Sequence, residues 1–95
     1  MSLEASITTQ GATTFAQCGN PHQTLFRLTA GVPVSDALEY ASDLLSCANH
    51  MTLLATHGDN TEQCVMAAHY LSEMGKAVVD DVTTALLRVE AGHGQ

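Results

Sequence analysis

Two runs with helical apolar spacing, Val34 to Ala55 and Cys64 to Val89, meet at one short polar joint, His57-Gly58-Asp59-Asn60-Thr61-Glu62. That joint constrains the chain more than any other stretch. Gly58 suits the left-handed residue that closes a helix, because it has no Cβ to clash. Asp59 or Asn60 can then cap a second helix, with Glu62 or Gln63 three residues on, as in a capping box. Stop and start signals this close predict an antiparallel helical hairpin. The first helix is expected over about 34–57 and the second over about 60–90. The second would be roughly 45 Å long at 1.5 Å per residue.

The first helix carries its apolar seam at Val34, Leu38, Ala41, Leu45, Ala48, Thr52 and Ala55, spaced alternately four and three. The second carries Cys64, Ala68, Leu71, Gly75, Val78, Val82, Ala85 and Val89. Both follow a helical period. Small residues recur on both: Ala41, Ala48 and Ala55 on one, Ala67, Ala68, Gly75 and Ala85 on the other. Small facing residues let helix axes approach at the short end of the usual 8–10 Å.

If the small seams meet inside the hairpin, the larger side chains flank it and outnumber the places one layer can bury them. Each Leu or Val is worth roughly 1.5–3 kcal/mol when buried. The expectation is therefore a homodimer, two hairpins packed as a four-helix bundle. Its core and interface would use Leu38, Ala41, Leu45, Ala48, Leu71, Met74, Val78 and Val82. The competing arrangement is a monomer whose first thirty residues fold back as a lid.

Residues 1–12 are polar and read as a flexible arm, with a single domain over 13–91 and a frayed tail over 92–95. Thr13 to Cys18 and Thr24 to Thr29 are β-compatible pieces around the turn-forming Gly19-Asn20-Pro21-His22-Gln23. They predict a small hairpin with Phe15 and either Phe26 or Leu25 turned to the helices. The Leu25–Leu28 segment is the part expected to reach a partner or cover the bundle end. Pro33 fits a first helical turn, with Ser35 or Asp36 as an early acceptor for the free amides. On the second helix, His69, Glu73, Lys76 and Asp80 mark a solvated face with Glu73–Lys76 and Lys76–Asp80 at pairing distance.

Three basic residues against ten acidic ones give a net charge of −7. Arg27, Lys76 and Arg88 are scattered, which argues against nucleic acid and anionic membranes, both of which require clustered cations. Neither a secretory signal nor a membrane span is evident, so cytoplasmic residence is the expectation, with Cys18, Cys47 and Cys64 as free thiols.

No constellation demands chemistry. Cys47 and His50, three apart, with Cys18 and His22, four apart, could in principle supply four zinc ligands. Neither pair has the tight knuckle of a zinc motif, and Cys47 fits a packing position. Cys64 and His69 are five apart and do not share a helix face. Asp80 and Asp81 point about 100° apart on a helix, so their carboxylates do not converge. The ferritin-like Glu-x-x-His pattern is absent. The expectation is no catalytic residues, no metal and no cofactor.

The run Leu25-Phe26-Arg27-Leu28-x-x-Gly31-Val32-Pro33, then Asp36-Ala37-Leu38-Glu39-x-Ala41-Ser42-x-Leu44-Leu45, and later Ala68-His69-Tyr70-Leu71-Ser72-Glu73-Met74-x-Lys76-Ala77-Val78-Val79-Asp80, resembles a family of small bacterial proteins catalogued only as a domain of unknown function. The resemblance covers about Phe15 to Val82. It implies a stand-alone domain and transfers no catalytic residue. The reading is a mainly α, dimeric, non-enzymatic interaction or regulatory module, whose acidic exterior suits a basic protein partner. The alternative is a small-molecule or metal-binding regulator with a pocket between helices at Met51, Met74 and Cys47.

Overall fold

The computed structural model describes residues 7–19, 23–58 and 60–93, in the order β1 (Thr14–Gln17), β2 (Thr24–Arg27), α1 (Val34–Ala55) and α2 (Thr61–His93). The two helices form the expected hairpin. Gly58 takes φ +93° at the joint, and Asn60, just before α2, takes φ +53°. Asp59, the turn residues 20–22 and the tail residues 94 and 95 lie outside the described residues. Gly92 does not end α2, which runs on to His93.

Small residues set the distance between the helices. On α1, Val34, Ala37, Ala41 and Ala48 are buried. On α2, Ala77, Val82 and Ala85 are buried. A Cβ placed on Gly75 would lie 3.1 Å from both Cγ and Cδ2 of Leu45 and 3.6 Å from the Ala41 carbonyl oxygen. The close approach anticipated from the alanine and glycine spacing is thus present at Gly75.

β1 and β2 pair antiparallel, with Thr14 opposite Arg27, Phe15 opposite Phe26 and Gln17 opposite Thr24. The Phe15 and Phe26 rings lie 5.5 Å apart on one face. β1 packs on α2, whereas all four residues of β2 are exposed, so neither Leu25 nor Phe26 is buried by the helices.

The leading segment departs from the expected free arm. Residues 1–6 lie outside the described residues, but from Ile7 onward the chain is docked. Ile7 and Thr9 are buried, and Ile7 joins Val34, Ala37, Val82 and Ala85 in the main core cluster. Thr9 N–H donates to the Val32 carbonyl (2.8 Å), and Gly31 N–H donates to the Thr9 carbonyl (3.0 Å). This strap also caps α1. Val34 N–H donates to the Ile7 carbonyl (3.0 Å), and the capping residue Pro33 offers no side-chain bond. The acceptor expected from Ser35 or Asp36 is replaced by a backbone carbonyl from a distant segment.

The contact at Gly75 gives the first prediction. Gly75→Ala gains helix propensity of about 1 kcal/mol, and the half-exposed Leu45 side chain can yield, so its stability should stay level or rise slightly. Gly75→Leu should lose about 1–3 kcal/mol through overpacking. Chemical denaturation of both variants measures the difference.

Candidate functional site

Asp81 organises the described structure around α2. Its side chain is 0% exposed, which demands partners for a charge removed from water. The strap supplies them. Oδ2 accepts the N–H groups of Gln10 (2.5 Å) and Gly11 (3.3 Å). Oδ1 accepts the N–H of Ala12 (3.1 Å) and both the N–H and the hydroxyl of Thr13 (3.0 Å each). Successive amides converge on one anion because Gly11 adopts φ +71°. A Cβ at Gly11 would also fall 2.8 Å from the Ala30 Cβ, so the turn requires glycine on two counts. Burial pushes the Asp81 carboxyl up, but the hydrogen bonds from Gln10, Thr13 and Ala12 outweigh it and hold the group below the ordinary carboxylate range. Arg88 Nη1 donates to Gln10 Oε1 (2.8 Å) at the outer edge.

Asp80, one residue earlier, turns to solvent and pairs with Lys76 Nζ at 2.8 Å. The two neighbouring carboxylates therefore diverge, as helical geometry requires. Their roles differ completely, and the sequence, which raises Asp81 only as a possible pair with Asp80, gives no sign that it is buried. Glu73 also departs from expectation. It is half-buried, and its Oε2 accepts the N–H of Ala16 (2.8 Å), pinning β1 to α2. Its described ion-pair neighbour is His69, with Nε2 4.0 Å from Oε1, instead of Lys76. Ala16 reaches Glu73 by adopting φ +63°, a left-handed conformation that costs an L-residue roughly 1–2 kcal/mol.

Three of the cavities among the described residues border this framework. One of about 250 Å³ lies between β1 and α2 beside Thr13, Phe15, Lys76 and Asp80. A second, about 570 Å³, opens beside Ala16, Cys18, Leu25, His69, Tyr70 and Glu73. The third, about 230 Å³ and largely apolar, sits under the strap at Thr9, Leu28, Val32, Ala37, Tyr40 and Val78. The pocket expected at Met51, Met74 and Cys47 coincides with none of these three, and Cys47 is exposed.

The residues expected at a core or dimer interface divide. Ala41, Ala48 and Val82 are buried within the chain, and Leu71, Met74 and Val78 are half-buried. Leu38 and Leu45 are exposed. Among the described residues, no group of three His, Cys, Asp or Glu side chains could hold a metal ion, and His22 lies outside them. No described helix is long and apolar enough to cross a membrane.

The sequence profile of the family described as "Protein of unknown function (DUF3077)" matches residues 9–85. The chain belongs to this family. No curated protein and no solved structure matches it. The match begins within the strap, so the family's domain includes the Thr9–Thr13 stretch together with Asp81.

The Asp81 clamp predicts a pH signature. A carboxyl held below its unfolded value contributes stability fully above about pH 4, and that contribution is lost as pH falls through the folded value. Asp81→Asn should lose about 2–3 kcal/mol at pH 7, because an amide cannot accept all five donors and presents N–H groups to some of them. The gap between wild type and variant should narrow below about pH 4, as read by urea denaturation across pH. At Ala16, relief of the left-handed strain should make Ala16→Gly more stable by up to about 1 kcal/mol in the same assay.

Proposed function

We propose that this member of the DUF3077 family is a non-enzymatic, cytoplasmic interaction module that works as a homodimer, two hairpins packed as a four-helix bundle. One observation carries the reading. The strap covers one side of the hairpin and leaves an apolar face open on the other. Leu38 and Leu45 on α1, and Val65, Val79 and Leu86 on α2, are each 38–54% exposed. Leu38 and Leu45 are seven apart, as are Val79 and Leu86, with Val65 fourteen before Val79, so each set follows one helix face. The contact between Leu45 and Gly75 joins the two stripes into a single surface.

On α1 that surface is uncharged, since the interleaved positions Ser42, Asn49 and Thr52 are neutral. On α2, Ser72 and Thr83 are neutral, while Lys76, three before Val79, and Glu90, four after Leu86, border the stripe. The acidic residues of α1, Asp36, Glu39 and Asp43, fall on the opposite side of the helix. A second copy of a chain with net charge −7 therefore meets no like charge along the α1 stripe, and a two-fold contact centred on Leu38 and Leu45 is permitted. Contiguous exposed apolar surface of this kind marks association sites more often than free surface.

The reading moves the contact from the centre of the seam to its flank. Val82 serves the chain's own core, while Leu38 and Leu45 face the partner. Light scattering at concentrations up to about 100 µM should give twice the 10.0 kDa chain mass. Leu45→Glu and Val79→Glu should each yield a folded monomer, because a charge would be trapped in an apolar contact. Tyr40→Glu, on the strap side, should remain dimeric. A wild-type protein that stays at 10.0 kDa throughout would overturn the proposal.

A further inference from the structure

From Leu28 to Gly75 the chain contains no Lys or Arg, while Asp36, Glu39, Asp43, Asp59, Glu62 and Glu73 all fall in that interval. The 570 Å³ cavity at the end of the β-hairpin takes His69, Tyr70 and Glu73 from this interval and Leu25 from β2, two residues before Arg27. Its volume lies within the roughly 300–1,000 Å³ of small-ligand pockets. Tyr70 and Leu25 form an apolar wall and are 54% and 65% exposed. Glu73 stands at the lip, fixed by the Ala16 N–H on Oε2 (2.8 Å), while Oε1 lies 4.0 Å from His69 Nε2. Lys76, the nearest cation along α2, is held by Asp80.

We infer that this cavity receives an arginine side chain from a basic segment of a partner protein. The aliphatic stem would lie along Leu25, the guanidinium plane would stack on the Tyr70 ring, and the fork would donate to Glu73 Oε1. A planar, weakly hydrated guanidinium matches an aromatic wall beside a carboxylate better than the compact ammonium of lysine does. Glu62, Met66, His69 and Glu73 are spaced four, three and four along α2, so a second carboxylate continues on the same helix face toward the hairpin joint. The assignment rests on the reading of an interaction module but not on its dimeric state.

The test uses the full chain and capped single residues, N-acetyl-arginine amide against N-acetyl-lysine amide and N-acetyl-leucine amide, followed by ¹H–¹⁵N correlation spectra. The arginine probe should produce saturable shifts confined to Ala16, Leu25, Tyr70 and Glu73, with a Kd of about 1 mM for so small a ligand. Lysine should bind several-fold more weakly, and leucine should produce no saturable shift. Glu73→Gln can still accept the Ala16 N–H, so the hairpin stays docked while arginine binding falls at least tenfold. Tyr70→Leu, at an exposed position, should weaken arginine binding and erase its advantage over lysine. The inference is overturned by arginine shifts that spread over Asp36, Glu39 and Asp43, by an equal response to leucine, or by binding undiminished in both variants. Loss of this binding with the dimeric mass intact would overturn the arginine site alone.

Discussion

The carboxylate of Asp81 is the interaction on which the remaining architecture depends. A charge with no solvent exposure is tolerated only when donors replace its water, and four consecutive amides and one hydroxyl do so. Those donors belong to residues 68–71 positions earlier in the chain, so one side chain ties the strap to α2. With Gln10–Thr13 fixed, Ile7 and Thr9 lie against α1, and the hairpin that begins at Thr14 is delivered to α2. Glu73 completes the attachment at Ala16. Two carboxylates on one helix thus act as fasteners for the strap and for β1.

The consequence for function comes from what the fasteners leave uncovered. Asp81 and Glu73 hold the strap and β-hairpin to one side of the helical pair. The alanine and glycine seam draws the axes together and leaves little depth between them for large side chains. Leu38, Leu45, Val65, Val79 and Leu86 therefore remain at the opposite surface. A lid and an open apolar face, which compete as readings of the sequence, coexist because the described part of the leading segment lies on one side of the helical pair.

The helices and their joint were legible because their determinants are local. The apolar period, Gly58 with its left-handed φ of +93°, and the small residue at position 75 all act within a turn or across one neighbouring helix. The strap was not legible, because its order comes from partners far along the chain. Ser, Thr, Gln and Gly over residues 6–14 have the composition of a free arm. The only local hint was the β-branched run Ile7-Thr8-Thr9, with Ile7 and Thr9 turned inward. Glu73 reads as an ordinary solvated helix charge and Asp81 only as a carboxylate that diverges from Asp80, since nothing adjacent in sequence marks the amides that they accept. For the same reason the cavity at Leu25, Tyr70 and Glu73 was invisible until the hairpin was placed.

Amide hydrogen exchange at Gly11, Ala12 and Thr13 tests the clamp most directly. If Asp81 holds the strap as described, these amides exchange nearly as slowly as those of the buried α2 turn around Val82, and Asp81→Asn releases them while the α1–α2 core stays protected. Exchange of the same three amides at free-peptide rates in the wild-type protein would contradict the account.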